Sequence, residues 1–133
     1  MAFEFNRNQQ DANYETTATL AQGGVDSTGF DLEQAIGGDI EPIVGELVIP
    51  AVAGITDDKV LTFTLEDSAD NSTYAAIDPA TTTTVTGTGG GGSPAKTVRF
   101  RFPPNTRQYV RIAQTADATA GTFTGDLTFR ILF

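Results

Sequence analysis

Histidine, cysteine and tryptophan are all missing from this chain of 133 residues. Without histidine, the Ser-His and Cys-His pairs, the usual general base near neutral pH and the commonest metal ligand are excluded together. Without cysteine there is neither a disulfide framework nor a thiolate metal site, so the fold must rest on packing and pairing. Bases are scarce as well: eight Lys and Arg stand against seventeen Asp and Glu, a net charge of −9. That balance argues against a phosphate backbone or an anionic membrane surface as partner, since both attract Lys and Arg. No run of about 18 apolar residues occurs, and MAFEFNRNQQ at the start lacks the apolar core of a signal peptide. The expectation is a protein made in the cytoplasm that stays there or in something assembled there.

What is present suits short strands. A length of 133 residues fits one domain with one core, and threonine, glycine and phenylalanine are conspicuous. Charge is uneven: residues 1–58 hold eleven acids and only Arg7, net −10, whereas residues 59–133 hold six acids and seven bases, net +1. The halves are suited to attract each other or neighbouring copies.

Residues 1–13 carry Phe3 and Phe5 without sustained periodicity and read as an N-terminal arm, leaving residues 14–133 as a single β-sandwich domain. Tyr14 to Leu20 suits a strand, and Phe30 to Ile36 a helical turn or short strand. Pro42 to Pro50 is an apolar run bounded by prolines, the pattern of a central strand buried on much of both faces. In Lys59 to Leu65, the residues Leu61, Phe63 and Leu65 alternate with Thr62 and Thr64. A polar turn follows at Asp67 to Thr73, then an exposed threonine strand near Thr81. Gly87 to Pro94 has the composition of a mobile loop unless a partner pins it. Val98, Phe100 and Phe102 share one face, Val110 and Ile112 another, and Phe123 to Phe133 keeps a single apolar parity. Strands at this spacing, with no helical period and no long repeat, predict an all-β, jelly-roll-like antiparallel β-sandwich with an extended N-terminal arm.

Three patterns hint at chemistry, and each has a plainer reading. Asp26-Ser27-Thr28-Gly29 resembles the Asp-Thr-Gly of aspartic proteases with a residue inserted, and otherwise reads as a turn. GGGSPAKT at residues 90–97 is one residue from a phosphate loop, but a strand follows where that loop needs a helix. Asp57, Asp58, Asp67, Asp70 and Asn71 could ligate a hard cation if loops converged, yet turns favour the same residues for backbone reasons. No catalytic, cofactor or metal residue is assigned, and the chain reads as a non-enzyme. Arg99, Arg101, Arg107 and Arg111, with Tyr109 among them, form the basic concentration of an acidic protein. They are either a face paired with the protein's own acids or a contact to an acidic partner. Together with Phe3 and Phe5 they are the candidate interface.

Val25 to Leu32 (VDSTGFDL), Leu65 to Tyr74 (LEDSADNSTY), Arg107 to Ile112 (RQYVRI) and AGTFTGDLTF from Ala120 occur in that order. In them the chain resembles the capsid cement, or decoration, proteins of short-tailed bacteriophages. The resemblance covers residues 25–133 and implies a jelly-roll-like coat on the outer surface of the capsid. There it would bind the major capsid protein, associate with neighbouring copies as a dimer or trimer, and need no cofactor. It leaves the arm and the Gly87 to Pro94 loop without an assigned role. A carbohydrate-binding β-sandwich module is the alternative, and a carboxylate hydrolase a more distant third.

Overall fold

The structure, a computed structural model, describes residues 10–22, 26–32, 44–77, 81–90, 92–103 and 105–132. Among them are nine strands and no helix: β1 (Gln10–Thr19), β2 (Phe30–Asp31), β3 (Val44–Ile49), β4 (Val60–Ser68), β5 (Ala75–Ala76), β6 (Thr82–Thr86), β7 (Lys96–Arg101), β8 (Tyr109–Ala116) and β9 (Asp126–Leu132). They form two antiparallel sheets, consistent with a β-sandwich. The front sheet runs β1-β9-β3-β7, and the back sheet runs β2-β8-β4 with β5 and β6 both paired to the far side of β4.

Period-two patterning decides which side chains meet. Leu61, Phe63 and Leu65 of β4 and Val110 and Ile112 of β8 face inward from the back sheet, against Leu47 and Ile49 of β3 and Leu127, Phe129 and Ile131 of β9. The proline-bounded strand is central, with β9 on one side and β7 on the other. Its glycine has a packing reason. A Cβ on Gly45 would stand 2.6 Å from the Phe100 ring, so the missing side chain makes room for Phe100 and Phe102, which group with Phe129 at ring separations of 5.4 to 6.3 Å.

Boundaries differ in three places. β1 begins at Gln10, so residues 10–13 of the expected arm belong to a strand, paired with β9 through an irregularity between Gln10 and Glu15. β4 runs on through Asp67 and Ser68, which the polar reading placed in a turn, because both are buried and held by partners described below. In the segment expected from Phe30 to Ile36, Phe30 and Asp31 pair with β8, and residues 33–36 lie outside the described residues.

The glycine-rich loop is tied at several points. Gly87 exchanges backbone bonds with Lys59 and Asp58, Thr88 donates to Gly92, and Ser93 exchanges two bonds with Val52. At its tip, Gly89 and Gly90 take φ of 62° and 100°, and the Gly90 N–H donates to both Asp57 carboxylate oxygens at 3.1 and 3.2 Å. The pin comes from the chain's own Asp57.

Candidate interaction surface

β7 and β8 follow each other in sequence yet cross from one sheet to the other. The link is tightened by Thr106, which donates to the Pro103 carbonyl through both N–H and Oγ1. Arg99 and Arg101 therefore sit at the end of the front sheet, and Arg107, Tyr109 and Arg111 on the back sheet. The basic residues thus fall into two separate groups, because strand parity fixes which side of a sheet a residue faces and is silent on which sheet.

At one end of the back sheet, Asp67 is 4% exposed and holds Arg107. Arg107 donates from its backbone N–H to Oδ2 at 2.9 Å, from Nε and Nη2 to Oδ1 at 3.0 and 2.7 Å, and from Nη2 to the Asp67 carbonyl at 3.0 Å. The hydrogen-bonded carboxylate pushes the Arg107 guanidinium further toward its charged form. One row along, Arg111 lies opposite Glu66 and bonds it at 2.7 Å, reaches Asp26 at 3.1 Å, and lies over the Tyr74 ring at 4.3 Å from its centroid. Desolvation raises the Tyr74 phenol above its ordinary value despite the Arg111 charge.

These contacts also explain the Asp-Ser-Thr-Gly stretch. Ser27 is buried; its N–H donates to the Ile112 carbonyl and its Oγ accepts from the Ile112 N–H, both at 2.9 Å. Residues 26–32 thus lace onto β8 rather than line a cleft. Asp70 caps its own turn, accepting from Ser72 and Thr73 N–H and from Ser68 Oγ, and the backbone bonds lower its pKa to about 2. Among the described residues, no group of three acids could hold a metal ion. Lys96, the lysine of the phosphate-loop near match, opens a strand and donates its Nζ to the Thr84 carbonyl at 3.1 Å.

The outer face of the front sheet carries a charge row that sequence reading missed. Glu15 of β1 lies opposite Arg130 of β9, Arg130 opposite Glu46 of β3, and Glu46 opposite Arg99 of β7. Signs alternate across all four strands. Arg99 bonds Glu46 at 2.8 Å, and Arg130 lies 3.5 Å from Glu46 and 3.4 Å from Glu15. The signal was available only once strand order was known. Arg101 is exposed and has no ion pair among the described residues.

The outer face of the back sheet is different. Thr62 lies opposite Thr84 and Thr115, and Thr64 opposite Thr82 and Ala113, giving a flat, uncharged threonine patch. Between the two sheets, a cleft of about 20 Å³ is lined by Phe63, Leu65, Val98, Phe100 and Thr81 to Thr83, room for about one water. Tyr109 is half-buried, and Phe3 and Phe5 lie outside the described residues. Among the described residues no helix is long and apolar enough to cross a membrane. Neither a family model nor a curated protein matches this chain.

Proposed function

We propose that this chain is a capsid cement protein, which binds the outer surface of a bacteriophage head and fastens neighbouring major capsid protein subunits without doing chemistry. One observation supports this most: among the described residues, Arg99, Arg130, Arg107 and Arg111 are paired with acids of adjacent strands rather than converging with them on a cavity. The identity of the partner rests on the resemblance of residues 25–133 to decoration proteins. Holding would come from modest contacts repeated over a lattice, so that multivalency replaces a single deep pocket.

The carbohydrate-binding alternative is less well supported. It needs an aromatic ring offered face-on to a sugar, whereas the Tyr74 ring lies under Arg111. Purified heads incubated with and without the chain, then heated, provide the test. The cement reading expects heads carrying the chain to release their contents at a higher temperature. Equal release temperatures, with no chain sedimenting with the heads, would overturn it.

A further inference from the structure

The front sheet ends on opposite charges. On one side β1 contains Asp11 and Glu15 and no base; on the other, β7 contains Lys96, Arg99 and Arg101 and no acid. Among the described residues, each of these strands pairs on one side only, β1 with β9 and β7 with β3. Sheet ends of this kind are templates for another strand unless charge or irregularity forbids it. Here charge selects. Two β7 ends brought together would face arginine with arginine, and two β1 ends acid with acid, each destabilising.

We infer that β7 of one copy pairs with β1 of a second copy, head to tail, so that the front sheets run on as one. The geometry allows it without inverting either molecule. In an antiparallel sheet with an even number of strands, the two ends run in opposite directions, so a second copy in the same orientation continues the alternation. Backbone groups pointing out of the two ends also fall in the same rows, and both outer faces stay outward.

The charge row sets the register. Placing Arg99 opposite Glu15 of the next copy extends the sequence Glu15, Arg130, Glu46, Arg99 into a second period with the signs still alternating. The neighbouring row then sets exposed Thr97 opposite exposed Thr17. β6 is a poorer docking end, since Lys96 Nζ already occupies the Thr84 carbonyl beside it. Because the joint uses two different edges, copies form a ring if the rotation closes and an open string otherwise. This deepens the fastening role proposed above by naming how copies join, and it requires no capsid to be tested.

Since the chain has no cysteine, a disulfide can report the register directly. Residues directly opposite each other across antiparallel strands bring their Cα atoms to about 4.5–5.5 Å, within the span of about 4.4–6.8 Å that a disulfide bridges. Full-length Thr97→Cys and Thr17→Cys chains are mixed under mild oxidation and run without reductant. The expected result is a mixed dimer joining position 97 of one chain to position 17 of the other, several-fold in excess of either like-with-like dimer. Its yield should fall several-fold when the first chain also carries Arg99→Gln or the second Glu15→Gln, with circular dichroism confirming that each variant is folded. Absence of the mixed dimer, or yields unaffected by both neutral substitutions, overturns the head-to-tail joint. Capsid binding is scored separately on heads, so either idea can fail alone.

Discussion

Asp67 holds both the backbone and the side chain of Arg107, through one carboxylate that is almost wholly buried. The pair fastens the start of the β8 segment to the end of β4 across a sequence separation of 40 residues. Removing one member of a buried pair leaves the other uncompensated at a cost of about 3–5 kcal/mol, and half-exposure of the arginine reduces this. Asp67→Ala is therefore expected to cost about 2 kcal/mol in urea unfolding. Arg107→Lys, which keeps the charge and the backbone bond but loses the fork, should cost less than half of that.

Ser27 makes a cleaner case, because its Oγ accepts from the Ile112 N–H inside a buried site. Ser27→Ala removes the acceptor and leaves the donor without a partner. A loss of about 1–2 kcal/mol is expected, together with faster amide hydrogen exchange at Ile112 than at other β8 positions. Unchanged exchange at Ile112 would show that the bond is not made in solution.

Gly45→Ala tests the packing of the aromatic trio. The added methyl would enter the Phe100 ring, with Phe102 next to it, so the central strand or the rings must shift. Overpacking of this kind costs about 1–3 kcal/mol, a fall in Tm of roughly 3–10 °C for a chain of this size. A melting temperature equal to that of the unsubstituted chain would mean the rings do not pack there.

Acid should loosen the turn around Asp70. Its carboxyl titrates at about 2 in the folded chain against 3.8 ordinarily, chiefly because Thr73 and Ser72 donate their backbone N–H groups to it. A folded value below the unfolded one stabilises the turn fully above pH 3.8, and that contribution fades as pH falls toward 2. NMR of the Ser72 and Thr73 amides should show shifts with a midpoint near 2, absent in Asp70→Ala; a midpoint near 4 would contradict the capped turn.

How far this was legible in sequence depends on period. Leu61, Phe63 and Leu65 announced the inward face of β4, and Val98 and Phe100 that of β7, with Phe102 just beyond its end, because alternation is a local property. The run between Pro42 and Pro50 marked the central strand by its apolar content and bounding prolines, also local properties. Sheet membership is non-local. Arg99 and Arg107 are eight residues apart and each carries outward parity, yet the turn at Thr106 sends them to different sheets. The row from Glu15 to Arg99 joins residues from four separate strands, and Asp57 grips Gly90 from 33 residues away. Neither could be read without the register. Asp67 and Ser68 looked like turn residues by type, and their partners drew them into β4.

The passive-fastener reading meets its most direct test in the composition of particles. Mass spectrometry of purified virions from the source of this sequence should find the chain in many copies per head, on the scale of the major capsid protein. Particles that lack it, or contain only one or a few copies, would contradict a cement role.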